Sequence, residues 1–545
     1  MYKVTFYPIN IEQFVEEGST ILNAARQAGI ILDAPCGGNG NCKKCKVTIC
    51  AGGRKKDVLA CKTFVLEDLS VYLPEVAEHH ILSEGKNFPF FWNPILKMEE
   101  SKTGNGALFS FQGRQVQLKL KSDDWYMVAF DIGTTTIVGY LMDGSTGKQI
   151  AADSMLNPQT VYGADVMERC RYAAVHGATE LQTKTFEGLN QLLHHMRGKI
   201  GINKEQILAV SIAGNVCMNH FLAGISIESL LKVPYHPGFY RWFWRKGKET
   251  MFHMNSDGYV LFLPNIGGFV GADTSSAMLN ANLDETENLS CLIDIGTNGE
   301  IVIGNKTTTI ACSTAAGPAL EGANIVCGMR GASGAIDHVW MERGQIAVAT
   351  IDKAKPAGIC GSGLIDAVAV MLSYGFIDKT GRICEKKELK QFEAKQNQNR
   401  LCEINGEKAF ILVFPSMTER EQGIYITQQD IRELQLAKAA ILAGILSLLK
   451  KKNWEKKDIK NVFLSGAFGS FMSIESAFLI GLIPKEWRGK TVVLGNAAGE
   501  GAKEVLCDEQ AILRCEKLAR QTEVLELASD SEFQKMFLSC MDFAG

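Results

Sequence analysis

The sequence predicts a multidomain chain, α+β at its start and α/β through most of its length. Three observations predict it. Four cysteines crowd the stretch "APCGGNGNCKKCKVTIC" (34–50). A strand–turn–strand pattern built on D-I-G-T occurs twice, its aspartates 163 residues apart. Apolar strands ending in glycine turns alternate with helical stretches through the rest. A chain of 545 residues exceeds one simple domain, and at about 100–200 residues per domain three or four units are expected.

Composition narrows the function classes. The chain is 46% hydrophobic and 21% charged, with a net charge of −3, an ordinary balance for a globular protein. No block of lysine or arginine marks a nucleic-acid face. "MYKVTFYPIN" lacks an export signal, and "AAILAGILSLL" (439–449) is short of the ~20 apolar residues of a membrane span, so it reads as a buried helix. A cytoplasmic location without membrane contact is expected, where the 16 cysteines stay mostly reduced and a cluster of them points to metal or redox chemistry.

The first unit, 1–83, begins with an alternating strand near 3–8, a second short strand, and a helix capped near Ser19 or Thr20 and stopped by Gly29. Cys36, Cys42 and Cys45 follow with C-x5-C-x2-C spacing, and Cys61 comes later in "VLACKTFV". Three thiolates on one glycine-rich loop and one from a later strand can enclose two irons, a pattern close to the plant-type [2Fe–2S] arrangement. The first gap is one residue longer, as in adrenodoxin-type ferredoxins. Gly37, Gly38 and Gly40 let the backbone bend and turn N–H groups toward the sulfurs. Zinc normally pairs two short hooks, and this chain has one. Cys50 is expected to be structural.

Residues 84–124 mix proline, glycine and charge and read as a linker. Its aromatic cluster, Phe88 to Trp92, is expected to dock on the neighbouring domain, the alternative being a partner or a second copy. Then come "WYMVAFDIGTTTIVGYLMD" (125–143) and "SCLIDIGTNGEIVIGN" (290–305). Each is two strands around a tight turn. The glycine permits close approach of a phosphate, the threonines and backbone N–H groups donate to it, and the aspartate can hold Mg2+ through water. Glycine turns in "NVFLSGAFGSF" (461–471) and "TVVLGNAAGEGA" (491–502) leave room for a base and ribose. The ordered set resembles the superfamily of actin, sugar kinases and heat-shock chaperone ATPases (ASKHA). That resemblance implies phosphate motifs at Asp131–Thr136 and Asp294–Gly299, an adenosine motif near Gly466–Gly469, a first lobe at 125–285, and a second lobe with C-terminal elements at 286–545.

An N-terminal β-grasp ferredoxin-like domain, a linker and a two-lobed actin-like ATPase form an uncommon combination. With "NPQTVYGADVMERC" (157–170), "AGNVCMNH", "GGFVGAD", "TAAGPALEGANI" (314–325), "ICGSGLID" (359–366) and "ITQQDIRELQLAKAAILAGI" (426–445), the chain resembles the reductive activators of corrinoid proteins over nearly its whole length. It looks short for that family and lacks the C-terminal [4Fe–4S] motifs of the methanogen relatives. Cys507, Cys515 and Cys540 have no C-x2-C-x2-C spacing. The resemblance implies ATP-dependent return of Co(II) to Co(I) in a methyltransferase or O-demethylase system. The electron would come from the [2Fe–2S] cluster, and the partners would be a corrinoid protein, an upstream electron donor and, in a homodimer, a second copy.

The expected roles follow. Cys36, Cys42, Cys45 and Cys61 bind iron. Asp131 and Asp294 anchor Mg2+ and phosphate. Gly133, Thr134, Thr135, Gly296, Thr297, Asn298 and Gly299 contact phosphates, and Gly466 and Gly469 form the adenosine turn. Asp273 positions the attacking water or caps its helix, with Glu300 and Glu321 as alternatives. His220 and His338 are expected to be structural. Thr427 caps an amphipathic core helix, and "FYRWFWRKGKE" (239–249) is a candidate partner surface. Three rivals remain: a small-molecule kinase with a ferredoxin domain, an activator of another low-potential enzyme using Cys312, Cys327 and Cys360, and an electron carrier with decayed ATPase lobes.

Overall fold

The structure is a computed structural model describing residues 1–7, 11–28, 30, 32, 40, 45–51, 54–73, 92–103, 106–120, 124–163 and 165–543. Strands β1 (Tyr2–Tyr7), β2 (Ile11–Val15), β3 (Lys46–Ala51), β4 (Arg54–Leu59) and β5 (Leu69–Tyr72) form a sheet of order β2-β1-β5-β3-β4, in which β1 and β5 run parallel. Helix α1 (Ile21–Gln27) packs Ile21, Leu22, Ala24 and Ala25 against Val4, Phe6 and Val71. Its cap is Thr20, whose hydroxyl accepts from the Asn23 N–H at 3.1 Å. A helix grasped by a mixed sheet is the expected N-terminal fold.

The expected linker is only partly a connection. Strands β6 (Leu96–Thr103), β7 (Gly106–Phe111) and β8 (Arg114–Leu118) form an antiparallel meander. Phe109 meets Trp125 edge-on at 5.3 Å between ring centroids, and Phe111 stacks on Tyr259 at 3.8 Å. The meander thus joins the core of the first ATPase lobe. Trp92 lies over Gly147, as docking on the neighbouring domain requires; Phe88 to Phe91 lie outside the described residues.

Two six-stranded sheets carry the ATPase lobes. The first has order β11-β10-β9-β12-β14-β13. Its strands are β9 (Tyr126–Ile132), β10 (Thr136–Asp143), β11 (Gln149–Leu156), β12 (Ile207–Gly214), β13 (Phe243–Lys246) and β14 (Tyr259–Phe262). It is flanked by α2 (Val166–His176), α3 (Thr179–Ile200), α4 (Val216–Ala223) and α5 (Ala272–Asn280). The second sheet includes β15 (Ser290–Ile295), β16 (Gly299–Gly304) and β17 (Thr309–Thr314). A smaller sheet of β18 (Ala335–Glu342), β19 (Gln345–Thr350) and β20 (Gly358–Ile359) packs on α6 (Gly361–Ser373). Short helix α7 (Phe392–Gln396) leads to β21 (Leu401–Ile404), β22 (Glu407–Val413) and β23 (Ile424–Thr427), and then to the 24-residue α8 (Gln428–Lys451).

Thr427 and Asp430 form a reciprocal cap at the start of α8, at 3.1 and 2.9 Å, and the 439–449 stretch lies mostly buried within it. Strand β24 (Asn461–Ser465), helices α9 (Gly466–Phe471) and α10 (Ile474–Ile480), strand β25 (Thr491–Gly495), helices α11 (Ala497–Cys507) and α12 (Ala511–Gln521), strand β26 (Thr522–Val524) and α13 (Ser531–Ser539) complete the chain. The second sheet has order β25-β24-β15-β16-β17-β26. Helices α11 and α12 cross back to pack on α5, β9 and β12, so one hydrophobic core is shared between the sheets of both lobes. Among the described residues no helix is long and apolar enough to cross a membrane.

Candidate active site

Each D-I-G-T aspartate ends a strand that pairs in parallel with a second strand leading into a helix. Asp131 on β9 lies beside Ala213 on β12, and Asp294 on β15 lies beside Ser465 on β24. The open ends of both sheets therefore converge on one cleft, where α/β sheets place ligands. A cavity of about 710 Å³ fills it, lined by Asp131, Gly133, Thr134, Thr135, Asp273, Asp294, Gly296, Thr297, Asn298, Glu300, Glu321 and Gly466 among others. Of the expected nucleotide residues, Gly299 and Gly469 stand behind the lining. Gly299 starts β16, where an added Cβ would come within 2.8 Å of the Thr314 hydroxyl. An added Cβ at Gly469 would lie 3.6 Å from Leu464, as packing of α9 on β24 requires.

The cleft is strongly acidic. Asp131 accepts from the Asn496 side chain at 2.9 Å, Asp294 from Ser465 at 2.8 Å, and Glu300 from Ser313 at 3.0 Å. Glu300 stands directly opposite Asp294 in the β15–β16 register. These carboxyls line the cavity. Burial, reinforced by the charge of Asp273, pushes Asp131 up to about 7. Burial also raises Asp273 and Asp294, and burial with two facing aspartates raises Glu300 well above the carboxylate range. Asp273 sits one residue inside the start of α5, whose N-cap is Gly271, and its carboxylate accepts the Thr274 N–H at 2.7 Å. It lines the cavity and is not the cap. Such a cluster favours a hydrated cation. Among the described residues no three His, Cys, Asp or Glu side chains gather closely enough to hold a metal directly.

Residues the sequence reading missed hold the motifs in place. Asn215 caps α4 through Oδ1 and donates from Nδ2 to Thr134 at 3.1 Å. Asn496 caps α11 while donating to Asp131. Both stand in a Gly-Asn pair between a strand and a helix, a repeated signal that could have exposed them. His220 is locked as a neutral ring: Nε2 accepts from the Gly238 N–H and Nδ1 donates to the Ser226 carbonyl, both at 2.8 Å. His338 pairs with Asp366 at 3.1 Å. Both histidines are structural in this setting. Cys312, Cys327 and Cys360 are buried, and among the described residues they join no metal-holding group.

In the N-terminal unit, Cys45 and Cys61 are both buried. Cys61 follows β4 in a turn rather than lying on a strand, and the Ala60 N–H donates to the Cys45 carbonyl at 2.8 Å, setting the two cysteines side by side. Gly40 has φ +81°, a conformation that favours glycine, and an added Cβ would meet the Lys62 side chain, next to Cys61 in sequence. This arrangement fits an enclosed thiolate-bound cluster. Cys36 and Cys42, with Gly37 and Gly38, lie outside the described residues.

Fold and cleft together define an actin-like ATPase of two lobes carrying a [2Fe–2S] ferredoxin domain at its N-terminus. Residues 288–545 match the C-terminal domain of RACo, the ASKHA domain, residues 126–286 the RACo middle region, and residues 7–66 the 2Fe-2S iron–sulfur cluster binding domain. The chain is 31% identical to the corrinoid activation enzyme RamQ of Eubacterium limosum, over 98% of both chains. It is 22% identical to the [Co(II) methylated amine-specific corrinoid protein] reductase of Methanosarcina barkeri, over 76% of both. A solved reductive activator for corrinoid, iron–sulfur protein superposes with a TM-score of 0.74 at 28% identity, covering 100% of this chain and 98% of that one. The chain belongs to the family of reductive activators of corrinoid proteins.

Proposed function

We infer that this chain carries out ATP-dependent reductive activation of a corrinoid protein, passing one electron from its [2Fe–2S] cluster to return Co(II) to Co(I) in a methyltransferase or O-demethylase system. The observation that carries this reading is the pairing in one chain of a ferredoxin domain with a cleft built from two D-I-G-T turns. Cys36, Cys42, Cys45 and Cys61 would hold the cluster, which supplies a low-potential electron when bound. Asp131 and Asp294 would hold Mg2+ through water. Thr134, Thr135, Thr297 and Asn298 would bind phosphates, and Gly466 would make room for the nucleotide against Asp294. Asp273, which burial keeps able to take up a proton near neutrality, would position the attacking water.

The energetics explain why ATP is needed. Plant-type [2Fe–2S] centres lie near roughly −400 mV, and by family resemblance the cobalt couple lies lower. Each ~100 mV of uphill gap costs about 2.3 kcal/mol per electron, which differential grip on the partner in two nucleotide states can supply. An upstream electron donor, a cytoplasmic setting and a second copy of the chain belong to the same reading. A small-molecule kinase would need an acceptor and would leave the cluster without a task.

The test uses the whole chain, anaerobic and chemically reduced, with a Co(II) corrinoid methyl carrier and with or without Mg-ATP. A Co(I) absorption band that depends on ATP and is lost in Cys45→Ala is expected. No Co(I) from a fully reduced cluster with a competent carrier would refute the reading.

A further inference from the structure

The stretch 157–170 sits behind the first phosphate turn. The Asn157 backbone N–H donates to the Thr135 carbonyl and its side chain to the Gly133 carbonyl, both at 2.8 Å. At its far end Arg169 on α2 is fully buried, and its Nε donates to the Gly163 carbonyl at 3.0 Å. Its two terminal NH2 groups have no hydrogen-bond partner among the described residues. A buried guanidinium with its fork unsatisfied is costly. The carboxylate acting on it most strongly is Glu321.

Glu321 is engaged elsewhere. It ends a 3-10 turn (Pro318–Glu321) of the second lobe and reaches across the cleft. Thr135 of the first turn donates to its two oxygens at 3.0 and 3.1 Å, and Thr297 of the second turn donates to it as well. The two threonine hydroxyls are themselves 3.2 Å apart. Each hydroxyl has one proton to give. A proton given to Glu321 is not available to a phosphate oxygen, and a carboxylate in that position would face the phosphate as a like charge. Glu321 and a triphosphate are therefore competitors for the same donors.

We propose that Glu321 is a latch between the lobes, clamping the two phosphate turns through Thr135 and Thr297, and that a triphosphate displaces its carboxylate onto the guanidinium of Arg169. The displacement exchanges one contact between the lobes for another, because Arg169 belongs to the first lobe and Glu321 to the second. Nucleotide occupancy is thereby converted into a change in how α2 is held. On α2, Tyr172 donates to Glu180 at 2.7 Å, and the charge of Arg26 on α1 of the cluster domain acts on that phenol. Glu321 and Arg169 are positioning residues in this scheme.

The inference rests on the cleft being a nucleotide site, and one set of titrations separates the two ideas. The whole chain is titrated with a Mg-bound non-hydrolysable ATP analogue by calorimetry. Glu321→Gln removes the competing charge and should bind about tenfold more tightly, the scale of one net hydrogen bond to a charged group. Arg169→Met denies the carboxylate its second seat and should bind about tenfold more weakly. The double variant should bind like Glu321→Gln, because a neutral side chain needs no cation; a purely structural role for Arg169 would not be rescued in this way. Arg169→Lys, which keeps the charge, should stay near the parent and guards against misfolding of the Met variant. Glu321→Gln binding no tighter than the parent, or an undiminished Arg169→Met loss in the double variant, overturns the latch alone. A parent chain that binds no Mg-nucleotide overturns the nucleotide site and the latch together.

Discussion

Asp131 is one of the residues through which pH acts on this molecule, together with Asp273 and Glu504, which burial raises to a similar value. Its carboxyl ordinarily titrates near 3.8, and in the folded chain it is pushed up to about 7. Between those values the folded chain holds a proton that the unfolded chain has lost. Its contribution to stability therefore declines as pH rises from about 4 to about 7, and stays lost above that. A cation in the cleft favours the charged forms and drives the protons out. Mg-nucleotide binding is thus expected to release protons at about pH 6.5 and to release few at about pH 9. Calorimetry in buffers of different ionisation enthalpy reads this directly. Asp131→Asn should shrink the release and flatten the pH dependence of the melting midpoint in metal-free buffer. An undiminished release in that variant would assign the proton to other groups. The aspartates were legible from the sequence because a strand-end Asp before a glycine turn has few other uses. Asn215 and Asn496 were not, because a cap reveals its second hydrogen bond only when the partner strand is in place.

At the scale of elements, the strand-to-helix turn at Gly466 is a tight constraint on the cleft. Gly466 has φ +86°, and an added Cβ would come within 2.6 Å of both Asp294 Oδ1 and the Ile295 carbonyl. Gly466→Ala is therefore strained and displaces the second aspartate. It should cost nucleotide affinity by tenfold or more, at about 1.4 kcal/mol per tenfold, while the iron–sulfur absorbance stays at parental strength. Parental affinity in this variant would show that the turn tolerates a side chain and that Asp294 is not essential. The two D-I-G-T hairpins were readable because close backbone approach demands those residue types. The meander at 96–118 was not, because β6 carries two register shifts, near Met98–Glu100 and Glu100–Thr103. Each shift reverses which face the next side chain takes, and the period-two signal of a strand disappears.

At the scale of the whole molecule, the meander is part of the ATPase core. Phe109, on β7, is fully buried against Trp125, and Phe109→Ala should lower stability by about 3–5 kcal/mol. Denaturant melts of the nucleotide cleft read this, and an unchanged midpoint would return the segment to the status of a spacer. The C-terminal elements expected within 286–545 do not all stay with the second sheet. Helices α11 and α12 come from the last part of the chain but cover α5, β9 and β12 of the first sheet. Only the folded topology shows this, since an amphipathic helix does not announce which sheet it will cover.

The segment that enters the ATPase is fastened to that same late part of the chain. The Asn93 N–H donates to the Cys507 carbonyl at 3.0 Å, the Ile95 N–H to the Leu506 carbonyl at 3.1 Å, and Lys97 pairs with Glu509 at 3.1 Å. Among the described residues, the strand pairings and core cluster of the ferredoxin sheet, by contrast, fall within residues 2–73. On the ribosome the two halves therefore mature at different times. Asn93 and its partner Glu509 are separated by 416 positions, which at ~20 residues per second is roughly 20 s of synthesis. The nascent N-terminal domain can close, and receive its iron, well before the ATPase has the last helices it needs to assemble.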